Sequence, residues 1–299
     1  MPVWKSKMPW PDIAGACRRA AGALLILLAS ACGQERVMNS ENAGTGVAWI
    51  DHPMVLAVTF HPRPEPPGPT TGFDVLDIPV AGHVTIGGRF YAARKDAPTI
   101  LFFHGNGEIV ADYHDIAALY RARGLNFLPV DYRGYGRSTG TPTIRAMLQD
   151  ARRIYAHARE WLTERGYDGR LIVMGRSLGS ASALELAAAY GDAIDGLIID
   201  SGFAHTVPLL RRLGAPIPEH IEAPLIGQLD KLRAYAGPVL IIHGARDTII
   251  PISDAEDLVN AAAHPDTTLL RVPDAGHNDI LLVAGREYLA AIAGFAQGL

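Results

Sequence analysis

The chain has 299 residues, of which 48% are hydrophobic and 19% are charged. A single α/β domain of this length buries most of the surface of its unfolded chain, so it needs neither a disulfide nor a metal to stay folded. The formal net charge of −4 argues against a nucleic-acid partner, because binding phosphate requires an excess of Lys and Arg. The two cysteines, Cys17 and Cys32, both lie near the N-terminus. The rest of the chain therefore holds no Cys-based metal site, and no His-Glu-x-x-His or His-x-His spacing supports a His-based one, so we expect no metal.

The first 31 residues have the features of a secretory signal peptide. Four basic residues precede the apolar run 20–29, and the small residues Ala29, Ser30 and Ala31 end this segment. The run is too short to span a bilayer, which takes about 20 apolar residues. We therefore interpret residues 1–31 as an export signal. An ordinary amphipathic or buried N-terminal helix is the alternative.

Cys32 follows this segment directly, and the sequence Ala-Ser-Ala-Cys-Gly resembles a bacterial lipobox. Lipidation of Cys32 would anchor the exported protein to the membrane of the cell envelope. The alternative is simple cleavage after Ala31, which would leave the protein periplasmic or secreted. Removing residues 1–31 takes away four basic residues and one acidic residue, so the formal net charge changes from −4 to −7. Attachment would then depend on the lipid and not on attraction to anionic headgroups.

Residues 32–54 are predicted to form a tether, and residues 55–299 a single α/β domain. The proline-rich stretch 61–69 favours an extended surface loop. Beyond it, 73–80 and 84–92 alternate apolar and polar residues, as a half-exposed hairpin would.

Short strands and helical patterns alternate in the rest of the domain. The predicted strands are apolar on both faces, as parallel strands covered by helices must be: 99–103, 126–130, 171–174, 197–199, 239–242 and 268–272. The predicted helices lie between them: 112–123, 144–164, 180–190, 253–263 and 279–295. This alternation predicts an α/β fold with a doubly wound, mostly parallel sheet of about eight strands.

The stretch at about 201–237 interrupts the alternation with four prolines. We interpret it as a small cap inserted after a strand. Such a cap could cover a site at the strand ends, where sheets of this kind bind ligands. An ordinary long surface connection is the alternative interpretation.

The sequence Gly175-Arg176-Ser177-Leu178-Gly179 matches the G-x-S-x-G pattern. Three fixed positions are a weak signal by themselves. Here an apolar strand leads into the pattern and a helix-forming run follows it, which is the context that a nucleophile elbow requires. We therefore predict Ser177 as a nucleophile, raised above the sheet near the positive end of the following helix.

A serine hydroxyl needs a base to take its proton. In α/β folds with a nucleophile elbow, a carboxylate and then a histidine follow the serine late in the chain. His277 follows a predicted strand and Gly276, and we predict it as the general base. Asp247 follows another strand, and we predict that its carboxylate orients the imidazole. Asp200 also ends a strand and is the alternative acid. Asp279 lies too close to His277 in sequence to orient its ring from behind.

Two backbone N–H groups are predicted to stabilise the oxyanion of the tetrahedral intermediate. One belongs to Leu178, which directly follows the predicted nucleophile. The other belongs to Asn106, in the turn His104-Gly105-Asn106-Gly107 after an early strand. A plain glycine turn is the alternative there. His104 and His243 each precede a glycine at a strand end, and we interpret both as structural.

These residues together resemble the α/β-hydrolase superfamily over roughly residues 55–297. The closest likeness is to bacterial alpha/beta-hydrolase-domain and Bem46-like serine hydrolases, which are sometimes grouped with the serine aminopeptidases. Five segments carry the resemblance in the family's order: His104–Gly107, Asp131–Ser138, Gly175–Gly179, His243–Asp247 and Gly276–His277. In the family, the segment like Asp131–Ser138 is a structural loop. The resemblance implies hydrolysis of small-molecule or lipid esters or thioesters through an acyl-enzyme, without a cofactor.

Several other functions stay open at this point. A haloalkane dehalogenase is disfavoured, because that group has an aspartate where this chain has Ser177. Aminopeptidases of the family carry a larger cap with acidic residues. The insert here has Glu219 and Glu222 but is small, so peptidase activity ranks second to ester hydrolysis. Acyl transfer to another alcohol uses the same residues. A function of another class would be that of an envelope lipoprotein that keeps the fold and only binds. The sequence specifies neither the acyl-chain length nor the oligomeric state.

Overall fold

A computed structural model describes residues 49–221 and 225–299. The predicted signal peptide, Cys32 and the first part of the tether lie outside the described residues, as does Glu222. Trp49 and Ile50 pack against the hydrophobic core, and Arg145 pairs with Asp51 at 3.2 Å. Residues 49–54, which the prediction assigned to the tether, thus belong to the folded domain.

Eight strands form one sheet, in the order β1-β2-β4-β3-β5-β6-β7-β8. Strand β2 runs antiparallel to β1 and β4, and all other neighbours are parallel. The predicted eight-stranded, mostly parallel sheet is thus confirmed. The strands are β1 (Asp74–Ala81), β2 (Val84–Phe90), β3 (Thr99–Phe103), β4 (Asn126–Val130), β5 (Leu171–Arg176), β6 (Gly196–Asp200), β7 (Val239–Gly244) and β8 (Thr268–Val272).

Helices cover both faces of the sheet. They are α1 (Pro53–Thr59), α2 (His114–Arg121), α3 (Ile144–Glu164), α4 (Gly179–Tyr190), α5 (Thr206–Arg212), α6 (Gln228–Arg233), α7 (Ile252–Ala261) and α8 (Ile280–Gly298). Successive strand residues point to opposite faces, so Leu101 and Phe103 join the core under α3 and α4, whereas Ile100 and Phe102 join the core under α2 and α8. The two cores explain why the parallel strands are apolar on both faces.

Three features differ from the prediction. Helix α1 was not predicted, since the stretch before it was interpreted as a tether. The helix expected at 112–123 is a 3₁₀ turn, Val110–Tyr113, followed by the shorter α2. The expectation that every parallel strand is buried on both faces is wrong for β8, whose Thr268 and Arg271 are exposed. Strand β8 lies at the edge of the sheet, where only one neighbour covers it.

Of the described helices, α8 is the one long and apolar enough to cross a membrane by length and composition. Its buried residues include Tyr288, Leu289 and Ile292, and the helix packs against β7 and β8. The apolar residues of α8 thus form part of the core on that face of the sheet.

Candidate active site

Ser177 lies in the tight turn that joins β5 to α4. Its backbone has a φ of 49°, in the left-handed region that a side chain rarely adopts. The turn is held by a hydrogen bond of 2.8 Å from the Ser177 N–H to the carbonyl of Asp200, at the end of β6. This backbone strain occurs at the one serine that the sequence singled out as a nucleophile.

The two glycines of the motif are required by close packing. A Cβ at Gly175 would lie 2.3 Å from the carbonyl oxygen of Gly179. A Cβ at Gly179 would lie 2.1 Å from the carbonyl oxygen of Phe103, in the neighbouring strand β3. Both contacts are with backbone, which cannot move aside. The glycines therefore let α4 start directly above the sheet, with Ser177 at its N-terminus.

Ser177, His277 and Asp247 form a continuous hydrogen-bonded chain. The Ser177 Oγ lies 2.8 Å from Nε2 of His277, and Nδ1 of His277 lies 2.7 Å from Oδ2 of Asp247. The other carboxylate oxygen of Asp247 accepts the N–H groups of Ile249 and Ile250 at 2.9 and 2.8 Å. The structure thus brings together the three residues predicted as nucleophile, base and acid. This geometry suits a hydroxyl nucleophile activated by an oriented imidazole.

Asp247 is a buried carboxylate in a strongly stabilising environment. Burial by itself would raise the pKa of Asp247, but hydrogen bonds from His243 and His277 and from the Ile250 N–H outweigh it and hold this pKa well below its usual range. The carboxylate is therefore ionised at neutral pH. An ionised carboxylate is what a neighbouring imidazole needs when it takes a proton.

His243 lies near the same carboxylate oxygen of Asp247 that His277 contacts. It is completely buried, its Nε2 donates to the carbonyl of Ile250 at 2.8 Å, and it lies 3.4 Å from Asp247 Oδ2. Burial lowers the pKa of His243, but the bonds to Asp247 and Ile250 outweigh this and raise it. Sequence analysis interpreted His243 as structural. Its contact with Asp247 was not foreseen.

The competing acids have other partners. The carboxylate of Asp200 accepts hydrogen bonds from Tyr288 and Ser201 at 2.8 and 2.9 Å. Asp279 accepts the N–H of Gly276 at 2.7 Å, in the turn that carries His277. Within the described residues, the carboxylate bonded to the His277 ring is thus that of Asp247.

The loop after β3 carries Asn106, the second predicted oxyanion donor. The Asn106 side chain accepts the backbone N–H of His61 at 2.9 Å and the hydroxyl of Tyr135 at 2.8 Å, and it donates to Nδ1 of His61 at 2.7 Å. The backbone N–H groups of Asn106 and Leu178 bond to no other group in the described part of the chain. Both residues line the same cavity as Ser177.

Hydrogen bonds of His104, Asp131 and Tyr135 support this loop. The ring nitrogens of His104 lie 2.8 Å from the Gly105 carbonyl and 3.2 Å from Asp131 Oδ1. The same Asp131 oxygen accepts the N–H of Val110 at 2.9 Å. These contacts agree with the structural interpretation of His104, and Tyr135 of the segment Asp131–Ser138 holds Asn106.

A largely apolar cavity of about 270 Å³ opens at Ser177. Within the segment 201–237, interpreted as a cap, α5 and its neighbours Phe203, Leu213 and Ile226 line the cavity, whereas α6 packs against α4 and α7. Helix α1 forms another part of the wall. The apolar lining residues are Val58, Ile144, Met147, Leu178, Phe203, Leu209, Leu210, Leu213, Ile226, Ile249 and Ile250. No group of three His, Cys, Asp or Glu side chains among the described residues could hold a metal ion.

Sequence reasoning missed two charged side chains at the site. Arg176 occupies the variable position before Ser177 in the motif, and Glu108 follows the glycine turn at 104–107. The two form an ion pair beside the cavity. The motif patterns carry no signal for them, because Arg176 occupies a variable position of its motif and Glu108 lies outside the turn motif.

The fold matches that of a known esterase. The structure of an esterase from Pyrococcus furiosus superimposes with a TM-score of 0.65 at 19% sequence identity, covering 80% of this chain and 99% of that one. At this identity the likeness establishes the fold alone. The eight-stranded sheet, with its hydrogen-bonded serine at the strand ends, defines a hydrolase of the α/β-hydrolase fold.

Sequence comparison identifies the family within this fold. The family described as serine aminopeptidase, S33, matches residues 94–223. An uncharacterized protein of Mycobacterium tuberculosis is 32% identical over 237 residues, which are 75% of this chain and 79% of that protein. The bem46 protein of Schizosaccharomyces pombe is 30% identical over 208 residues, 67% of this chain and 68% of that protein. The chain belongs to the Bem46-like group of α/β hydrolases.

Proposed function

We propose that this hydrolase cleaves carboxylic esters or thioesters through a serine nucleophile and an acyl-enzyme intermediate. The observation that carries the proposal is the chain of hydrogen bonds from Ser177 through His277 to Asp247, at 2.8 and 2.7 Å. This chain opens into an apolar cavity. A half-buried serine in this strained turn has no structural need for an imidazole partner.

The proposed reaction has two halves. The Ser177 oxygen attacks the acyl carbonyl while Nε2 of His277 takes the hydroxyl proton. The N–H groups of Leu178 and Asn106 donate to the oxyanion of the tetrahedral intermediate. His277 then gives the proton to the leaving alcohol or thiol, which departs and leaves the acyl group on Ser177. A water molecule then attacks this ester while His277 takes one of its protons. His277 returns this proton to the Ser177 oxygen, and the carboxylic acid is released.

The cavity favours an apolar acyl group. Its walls are mostly aliphatic, and it is of a size that binds small molecules or acyl chains. Among the described lining residues, Glu108 is the one carboxylate, and Arg176 neutralises it. An aminopeptidase needs a free carboxylate for the substrate's amino group. This environment therefore favours esters over peptides with a free N-terminus.

The first test measures hydrolysis of p-nitrophenyl esters of increasing acyl length, together with covalent labelling by a fluorophosphonate. We expect labelling at Ser177 and a kcat/KM that rises up to about fourfold per methylene from acetate to hexanoate, because burying each CH₂ contributes about 0.8 kcal/mol. Competition between water and added alcohols distinguishes hydrolysis from acyl transfer. A folded protein that does not label would favour the non-catalytic binding function.

Leu213→Ser and Leu282→Ser form a matched pair for the same assay. Both side chains are partly exposed, at 40% and 53%, so neither change should unfold the domain. Leu213 lines the cavity, and Leu282 does not. We expect the first change to flatten the chain-length profile and the second to leave it unaltered. Equal profiles for both variants would mean that the acyl group binds elsewhere.

We propose further that the protein is exported and anchored through a lipid on Cys32, so that its substrate lies in the cell envelope. The support is the sequence of residues 1–32 alone. Mass spectrometry of the mature N-terminus should find residues 1–31 removed and the Cys32 sulfur and amino group acylated. Cys32→Ser should move the protein from the membrane to the soluble fraction. A mature chain that begins with a free Cys32 thiol would mean simple secretion.

A further inference from the structure

Arg176 connects three separate loops of the site. Its guanidinium forms an ion pair with Glu108 in the loop after β3. It also donates to the backbone carbonyl of His277 at 2.9 Å and to Oδ1 of Asn278 at 3.0 Å. Since Arg176 directly precedes Ser177, this one side chain joins the nucleophile turn, the Asn106 loop and the histidine loop.

Glu108 is equally well bound on its own side. Its carboxylate accepts the backbone N–H of Gly105 at 2.7 Å and the hydroxyl of Tyr113 at 2.5 Å. A Cβ added at Gly105 would lie 2.5 Å from Nη1 of Arg176, so the guanidinium packs directly on the backbone of this loop. The ion pair therefore packs against the loop that carries Asn106 and constrains its position.

The side chains of Arg176 and Glu108 are both largely buried, and both keep their charge. The side chains of Arg176 and Glu108 are 15% and 12% exposed. Burial raises the pKa of Glu108, but Arg176 and Tyr113 outweigh it and lower this pKa. Burial likewise lowers the pKa of Arg176, and the neighbouring Glu108 outweighs it, so this pKa is raised. A buried ion pair seldom stabilises a fold more than apolar residues of the same volume would. Stability alone thus gives no reason for a charged pair here.

We infer that Arg176 and Glu108 are positioning residues, whose ion pair fixes the loop with the Asn106 N–H relative to the backbone that carries His277. The inference rests on the proposed function, because it concerns the same site. Neither side chain is placed on the reacting atoms. They act by keeping the distance between the Asn106 N–H and the His277 imidazole constant. This distance must not change while charge develops on the oxyanion and on the imidazole.

The test compares Glu108→Gln, Arg176→Met and the double variant in the ester assay. We expect each single change to lower kcat by on the order of 10²-fold, the loss that a displacement of about 1 Å causes, with KM changed by less than about threefold. The double variant should be no slower than either single variant, because both remove the same connection. Kinetic constants are normalised to the sites that a fluorophosphonate labels at its end point, so unfolded protein does not contribute.

Lys231 and Glu185 provide a matched control away from the site. They form an ion pair of 2.8 Å between α6 and α4, and their side chains are 16% and 9% exposed. Lys231→Met and Glu185→Gln should lower the melting temperature much as the test variants do and leave kcat per labelled site unchanged.

Three outcomes are distinguishable. A fall in kcat per labelled site for the Arg176 and Glu108 variants, but not for the controls, supports the positioning role. An active wild type whose test variants keep wild-type kcat overturns it. A folded wild type that neither labels nor hydrolyses any ester overturns the proposed function instead. If the methionine variant does not fold, Arg176→Lys keeps the charge without the forked geometry and should still lose kcat.

Discussion

Replacing Ser177 by alanine is expected to abolish fluorophosphonate labelling and to lower kcat for p-nitrophenyl esters by about 10⁶-fold. The reason is that His277 then has no hydroxyl to deprotonate, and no acyl-enzyme can form. Substrate binding should change little, because the cavity walls are unaltered. The measurement is steady-state hydrolysis together with intact-protein mass spectrometry after labelling.

Ser182→Ala is the matched control for this variant. Ser182 lies five residues further on, in α4; it is buried, and its hydroxyl has no hydrogen-bond partner among the described groups. The same substitution there should leave both labelling and kcat near the wild-type values. Labelling of Ser177→Ala at another residue would show that the nucleophile had been assigned to the wrong side chain.

The fold was predictable from the sequence because its signals are local. Strands 99–103, 126–130 and 268–272 and helix 144–164 agree with the structure at both ends. Each parallel strand is a short apolar run with a turn after it, and the sheet needs little else to be recognised. Helix α1 escaped prediction because seven residues are too few for a clear helical period.

The candidate site was predictable only where its residues sit at fixed positions in a motif. Ser177, Asp247 and His277 each follow a strand at a set distance, and the structure brings them into contact. Their catalytic roles stay predictions, as do the oxyanion roles of Leu178 and Asn106. Arg176 and Glu108 lie 68 positions apart, and no local pattern signals that they meet. Such contacts depend on tertiary packing and can be seen only once the loops are in place.

The same distinction applies to His243. A histidine before a glycine at a strand end has an obvious structural use, which its bond to the Ile250 carbonyl fulfils. Its second contact, with Asp247 Oδ2 at 3.4 Å, depends on how the turn folds back on the strand. Both histidines thus lie at the Oδ2 atom of Asp247, while Oδ1 accepts two backbone N–H groups, which limits the freedom of the carboxylate to rotate.

Asp247→Asn is expected to lower kcat by about 10⁴-fold. The asparagine amide would present a donor or a weaker acceptor to Nδ1 of His277. The imidazole would then lose the tautomer that carries its proton on Nδ1 and leaves Nε2 free to accept the Ser177 proton. Asp200→Asn is the control, because it removes the alternative carboxylate while leaving the His277 bond intact. We expect its kcat to stay within about tenfold of wild type. A larger loss for Asp200→Asn than for Asp247→Asn would reverse the assignment of the acid.

The pH dependence of stability provides a second measurement on the same variant. The pKa of Asp247 is lowered in the folded protein, so its ionised form stabilises the fold fully above the unfolded-state value of about 3.9. That contribution decreases as the pH falls below this value toward the folded-state pKa. Urea denaturation should therefore find Asp247→Asn destabilised relative to wild type at pH 7, with a smaller difference at pH 3. A difference that grows at low pH would contradict an ionised, hydrogen-bonded Asp247 and, with it, the proposed support of His277.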